Sequence, residues 1–343
     1  MRALSLFSGA GGDTHGLESA GISVVGFVEW EKPMIRTHIA NFPNSILIGR
    51  DICAVTADQL APYIDNIDII FAGFPCQGMS KAGKKDPNDK RNNLFKEFVR
   101  ITDIVKPLWI IGENVKHILK MKTPEDVNTC DMIIHAFEEI GYTMAAPHVL
   151  KAHEFGAPQK RERCFFVGSR NDTNFSWDRV HEIGRSIPER HLSDILETEI
   201  DMVVEITDEQ AAHFGITHWV YGEDLGEPRA PAPLNLRKCI ESGELSFGKR
   251  VSPNHSEVVN PNGFSKTLIC TYNRMPRMFV PIQCGATSAK FLRPYTVNEA
   301  KQIQGFPANY IITGNRMEAI KQIGNAVPPP LVKAIATVIM SSN

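Results

Sequence analysis

The chain has few cysteines and none in pairs: Cys53, Cys76, Cys130, Cys164, Cys239, Cys270 and Cys284 are an odd seven, and the nearest two, Cys270 and Cys284, stand 14 positions apart. That spacing excludes a CxxC zinc motif and gives no disulfide framework. Free thiols in a reducing compartment fit the pattern, and no metal site is expected. There is also no run of ~18 uninterrupted apolar residues such as a membrane helix needs. The opening "MRALSLFSGAGG" turns glycine-rich too soon for a signal peptide, so no membrane association is expected and the expected address is the cytoplasm. An excess of charge of either sign is missing too, since the formal net charge is -2. A basic nucleic-acid footprint must therefore be local. What the chain does have is size: 343 residues at 43% hydrophobic can bury one large core or two ordinary ones. No internal repeat or low-complexity segment interrupts it.

Two stretches carry local positive charge. Residues 81 to 91 hold Lys81, Lys84, Lys85, Lys90 and Arg91 against Asp86 and Asp89, and residues 251 to 294 hold Lys266, Arg274, Arg277, Lys290 and Arg293 against Glu257. Either stretch by itself reads as ordinary solvated charge.

The first 170 residues alternate short β-rich runs with helical patterns, as βαβ units do. Strands are expected at about 2 to 6, 22 to 28, 46 to 49, 67 to 72, 108 to 112 and 163 to 168. Between them "DTHGLESA", "EKPMIRTHIANF", "NNLFKEFVRITDIV" and "CDMIIHAFEEI" place apolar residues three and four apart, which suits crossover helices. The expected fold is α/β, a doubly wound, mostly parallel sheet, with ligands beyond the carboxyl ends of its strands. From about 177 to 315 the pattern becomes short and irregular, with a proline-rich connector, "LGEPRAPAPLNL"; a second, smaller β-rich domain is expected there. "LVKAIATVIM" near the end reads as a helix that returns to the first domain, giving 1–176 plus 316–343 as one unit and 177–315 as the other.

Four strand ends carry chemistry. After the first strand, Gly9, Gly11 and Gly12 permit a tight turn and close approach of a ligand to the next helix. A dinucleotide fingerprint wants a small residue where Thr14 stands. Glu29, at the end of the second strand, is placed to accept hydrogen bonds from ribose hydroxyls, and Trp30 to stack on a purine or, as the plainer reading, to pack in the core. Asp51, after the third strand, offers an acceptor for an adenine amino group or a helix N-cap. After the fourth, Cys76 lies beyond the apolar run of "DIIFAGFPCQGMS", between Pro75 and Gln77, where a nucleophile facing a cleft would lie. After the fifth, Glu113 ends "IIGE" as a possible acid partner, although a lone carboxylate there is more often a cap or an ion-pair member. Gln159, Arg161 and Arg163 share one face of "PQKRER", with a charged edge strand as the plain alternative for Arg161.

Taken in order, "LFSGAGG", "EW", "GRDI", "AGFPCQGMS", "GENV", "PQKRER", "RPYTVNEAKQIQGFP" and "GNAVPPPLVKAIA" resemble the cytosine-C5 DNA methyltransferases over nearly the whole chain. The resemblance implies a class I S-adenosyl-L-methionine-dependent methyltransferase fold and a restriction-modification setting of bacterial or phage origin. It places Phe7, Gly9, Gly11, Glu29, Trp30, Asp51, Ile52, Pro75, Leu94, Asn325 and Val327 around S-adenosyl-L-methionine, whose product is S-adenosyl-L-homocysteine. It makes Cys76 the nucleophile, with Gln77 beside it, Glu113 on the N3 edge of cytosine, Arg163 on its O2, and Arg161 and Gln159 ordering the site. The region between "PQKRER" and "RPYTVNEA" becomes the target recognition domain, and 78 to 93 a loop closing over a flipped-out base. Double-stranded DNA is the implied partner of a monomeric enzyme, with a companion restriction endonuclease possible. Ser80, Lys81, Lys84 and Arg91, together with the charges of 251 to 294, would meet the DNA backbone. Asn273, Arg274 and Arg277 are candidates for base reading in the major groove, with a phosphate-only contact as the equal alternative for each.

The tRNA-methylating branch of the same family carries Cys-Phe-Thr in the recognition region, where this chain has "ICTYN" at 269 to 273; DNA is therefore preferred. A nicotinamide-dependent oxidoreductase is disfavoured by Thr14 and by the coincidence of Cys76 with Glu113. A non-catalytic DNA-binding relative would not need Cys76, Glu113 and Arg163 intact.

Overall fold

A computed structural model describes residues 1–75, 94–123, 126–171, 175–198, 202–223, 245, 256–274 and 276–342. In chain order its strands are β1 (Arg2–Leu6), β2 (Ser23–Val28), β3 (Ile46–Gly49), β4 (Ile69–Ala72), β5 (Trp109–Val115), β6 (Thr143–Met144), β7 (His148–Lys151), β8 (Gln159–Lys160), β9 (Glu162–Ser169), β10 (Val204–Ile206), β11 (Val220–Gly222), β12 (Glu257–Val258), β13 (Ser265–Lys266), β14 (Met278–Cys284) and β15 (Lys290–Pro294). The central sheet runs β3-β2-β1-β4-β5-β9-β6, with β7 also on β9. β1 to β5 pair in parallel and β9 antiparallel to β5, so the order reverses between β1 and β4, where an open sheet leaves its ligand crevice.

The strands form where β-branched and aromatic residues run together. β4, "IIFA", is buried at every position, as a central parallel strand covered on both faces must be. One face is covered by the helix Leu94–Val105, which buries Phe95, Phe98, Ile101 and Val105 at helical spacing. The other is covered by the helices Gly12–Ser19 and Pro329–Met340. Gly16 lets these two approach closely, since a Cβ there would stand 2.6 Å from the Pro329 carbonyl oxygen and from Val332 Cβ. The stretch Arg316–Met340 has the length and apolarity of a membrane span, yet it is two helices divided at Pro328 and is mostly buried in the core.

A second sheet, β10-β15-β14-β11 with β12 on β14, builds a separate core with Leu192, Tyr272, Tyr295, Ile303, Ile320 and Ile323. Val180 of the helix Trp177–Ser186 lies in the first core, and Ile320 and Ile323 lie in the second. Each core thus takes a helix from across the sequence-based boundaries. The two-stranded β8-β13 ladder joins the regions by pairing Gln159 with Ser265.

Candidate active site

Beyond Leu6 the chain turns through Phe7 (φ 59°), Gly9 (φ 56°) and Gly11 (φ 79°) into the helix Gly12–Ser19. The Gly9 N–H donates to Glu29 Oε2 at 2.8 Å, and the Glu31 N–H donates to Glu29 Oε1 at 2.7 Å. Burial raises the Glu29 pKa, and these two donors oppose that shift. A Cβ on Gly9 would project into open space, with Met34 Sδ nearest at 4.0 Å, whereas a Cβ on Gly12 would lie 2.3 Å from the Val327 carbonyl oxygen. The glycine loop is therefore open in front and closed behind, with Val327 forming the closure. Trp30 is 62% exposed and its carbonyl is held by Arg50 Nη2 at 2.9 Å, so the plainer reading of a core tryptophan does not hold. Asp51 accepts the Cys53 N–H at 3.0 Å as the N-cap of the turn Ile52–Ala54, which bears out the capping alternative; its side chain remains exposed. Ile52 is buried, Pro75 and Leu94 are half-buried, and Asn325 is exposed at the end of the helix Arg316–Asn325. An open glycine loop, a buried carboxylate and an outward indole fit the ribose and purine of a nucleoside.

At the neighbouring strand ends, Glu113 Oε1 lies 2.8 Å from Arg163 Nε, both side chains nearly buried. The contact follows from register: Val115 pairs with Arg163 and Glu113 with Phe165, so Glu113, Val115 and Arg163 share a face. Burial raises the Glu113 pKa, while Arg163 and then Arg161 pull it back. A Cβ on Gly73 would stand 3.5 Å from Glu113 Oε2, so the carboxyl borders the segment that follows β4. Cys76, Gln77, Ser80, Lys81, Lys84 and Arg91 lie outside the described residues.

Arg161 and Gln159 are not on that surface. Arg161 is 1% exposed and donates to the carbonyls of Leu268 (2.9 Å), Gly324 (3.0 Å) and Ala326 (3.1 Å), which overturns the edge-strand alternative. Gln159 accepts the Leu268 N–H at 2.8 Å and donates to the Ile303 carbonyl at 3.1 Å and to Gln304 Oε1 at 3.0 Å. Together they fasten the chain at Leu268 and the chain before Val327 to the central sheet. Sequence reasoning passed over Asn114, whose Nδ2 donates to the Phe74 carbonyl at 2.9 Å and so holds the approach to residue 76. A polar residue inside the run "WIIGENV" was its signal.

The expected cationic surface of 251 to 294 is smaller than its residue count. Arg293 is 1% exposed and makes a two-pronged ion pair with Glu299 at 2.6 and 2.7 Å, so it is a core residue and not a phosphate contact. The capping box of Thr296 with Glu299 fixes that carboxylate at the start of the helix Val297–Ile303, and Arg293 reaches it from β15. Lys266 pairs with Glu257 at 2.8 Å, and Lys290 pairs with Asp208 while lying over the Trp219 ring. Arg274 is exposed, and Asn273 and Arg277 are half-buried, which leaves these three as the described candidates for DNA contact.

The profile of the C-5 cytosine-specific DNA methylases matches residues 1–341. The chain is similar to the type II methyltransferase M.DdeI of Desulfomicrobium norvegicum, 30% identical over 98% of this chain and 88% of that one. It is similar also to the type II methyltransferase M.Eco47II of Escherichia coli, 31% identical over 97% and 77%. Among solved structures it resembles the S. pombe Dnmt2 methyltransferase, with a TM-score of 0.69 at 17% identity over 99% of this chain and 98% of that one; this likeness is one of fold.

Proposed function

This chain belongs to the C-5 cytosine-specific DNA methylase family and is a DNA cytosine-5 methyltransferase of the type II restriction-modification kind, and from that premise we propose how its own residues divide the work. The Cys76 thiolate adds to C6 of a cytosine extruded from the duplex, which turns C5 into a carbon nucleophile. Glu113, whose pKa burial raises while Arg163 and Arg161 oppose the rise, engages N3 and stabilises the charge that addition puts on the ring. Arg163 holds both the Glu113 carboxyl and the cytosine O2. S-adenosyl-L-methionine supplies the methyl group as an electrophile on its sulfonium. Glu29 takes the ribose hydroxyls, Trp30 the purine face, and Phe7, Gly9, Gly11, Asp51, Ile52, Pro75, Leu94, Asn325 and Val327 the remaining walls. After methylation water takes the C5 proton, the C5–H pair forms the C5=C6 double bond, and the Cys76–C6 bond breaks with its pair returning to sulfur as thiolate.

Residues 177–315 are proposed as the target recognition region on 1–176 plus 316–343. Arg274, Arg277 and Asn273, with Lys81, Lys84, Arg91 and Ser80, meet the duplex, and Gln77 stands beside the nucleophile. A companion endonuclease cleaving the same sequence would complete the system.

The observation that supports this reading most is the nearly buried Glu113–Arg163 pair, aimed at the segment leading to residue 76. Duplexes carrying 5-fluorocytosine lack a C5 proton to lose, so with methyl donor present they should become covalently joined to the protein through Cys76. Mass spectrometry that finds no adduct at position 76 overturns the assignment.

A further inference from the structure

Three of the five residues joining β1 to the helix Gly12–Ser19 lie in the left-handed region, Phe7 among them. Backbone of that kind persists when its surroundings over-determine it. Two contacts do so here. Across the base of the loop, Ser5 Oγ donates to Asp13 Oδ2, both side chains buried, which pins its two flanks together. At the end of the loop nearer the helix, the Tyr310 hydroxyl donates to the Ala10 carbonyl at 2.6 Å and lies 3.4 Å from the Gly11 carbonyl oxygen.

Tyr310 is itself fixed. Its ring packs on Phe306 with centroids 4.4 Å apart, and Phe42 and His15 flank it. The backbone just beyond is anchored to the helix Lys32–Asn41, with the Ile311 N–H on Asn41 Oδ1 at 3.0 Å and the Thr313 N–H on Thr37 Oγ1 at 3.0 Å. The fit is tight enough that a Cβ on Gly11 would stand 2.8 Å from the Tyr310 hydroxyl and 2.7 Å from Phe42. The bland account is that both contacts only hold the fold together. Their placement says more, because one brackets and the other ends on the turn whose Gly9 N–H orients Glu29.

We propose that the Ser5–Asp13 contact and Tyr310 are positioning elements for the methyl donor, together holding the loop of residues 7–11 in its receiving shape. The segment around Tyr310, 300 positions away in sequence, thereby sets donor affinity. The inference rests on the donor site proposed above.

The test removes one oxygen at a time from the full-length protein. Ser5→Ala and Tyr310→Phe keep the shape of their side chains, and each should weaken S-adenosyl-L-methionine and S-adenosyl-L-homocysteine binding, by calorimetry, about fivefold to tenfold. Affinity for duplex DNA without donor, by fluorescence anisotropy, should stay at the wild-type value. A lower Tm with unchanged donor affinity, or equal losses of donor and DNA affinity, would mean a merely structural role and overturn the proposal. If the wild-type protein itself fails to bind either compound, the donor site falls and this inference with it; variants that match a binding wild type overturn this inference alone.

Discussion

The guanidinium of Arg163 reaches the carboxyl of Glu113 because β9 runs antiparallel to β5 and sets Arg163 opposite Val115, two residues along the same face. In the proposed mechanism the pair joins a group that works through its proton to a cation that pulls the proton away. Burial supplies the opposing pressure.

Glu113→Gln should retain the fold and lower the single-turnover methylation rate by ~10²- to 10⁴-fold, the usual range for losing a positioned acid. Arg163→Met should lower the rate too, and its pH profile carries the sign. Arg163 favours the carboxylate, so removing it raises the Glu113 pKa further. The alkaline limb of the rate should then move to higher pH, as measured by rates from pH 5 to 9.

Arg161→Met should cost stability before it costs chemistry. Three carbonyls lose their donor inside the protein, and the expected destabilisation is about 3 to 5 kcal/mol by urea unfolding. Stability within 1 kcal/mol of wild type, taken as roughly the worth of one hydrogen bond, would show that the clamp is dispensable.

Asp13 makes stability depend on pH. Burial pushes its pKa up from 3.8 to about 7, with Glu29 adding repulsion; the Ser5 hydroxyl and the N–H groups of Thr14 and Asp13 oppose the rise, and the Tyr310 hydroxyl also lies within its field. Between those values the folded chain holds a proton that the unfolded chain has released, so this group's contribution falls as pH rises from about 4 to 7. Asp13→Asn cannot ionise. Its Tm relative to wild type should therefore climb across that window, and a constant difference would contradict the burial of the charge.

Arg274 and Arg277 should govern the salt dependence of DNA binding, and Arg293 should not. Replacing either of the first two with Gln should reduce the slope of log affinity against log salt by roughly 1 if it contacts phosphate. Replacing Arg293 with Met should leave the slope unchanged while lowering stability, since it uncovers the buried Glu299 carboxylate. Affinity measurements from 50 to 200 mM salt separate the two outcomes.

The sheet was legible because its signals are local. Runs such as "IIFA" and "WIIG" bury on both faces, and the helices between them keep apolar residues three and four apart; six expected strands appear at their positions to within three residues at any end, and β6 and β7 were passed over because they are two and four residues long with mixed burial. The glycine loop and Glu29 were legible for the same reason: left-handed turns and a carboxylate at a strand end leave their mark on residue type. Which charges would be exposed was not legible. Lys266, Lys290 and Arg293 read as one patch with Arg274 and Arg277, because a sequence does not show that Glu299 or Asp208 will fold alongside.

The sequence by itself determined the doubly wound sheet, the crevice at its strand ends and the residue types gathered there, since each follows from periodicity and backbone freedom within a few neighbours. The tertiary structure alone decided which of those residues face a ligand and which face each other. Gln159, Arg161 and Arg163 alternate along one segment, yet two are locked against Leu268 and the chain near Ala326, while the third meets Glu113. For Gln159 and Arg161 that division depends on partners more than 100 positions away, brought close by burial of two separate cores, and nothing within the segment encodes their arrival.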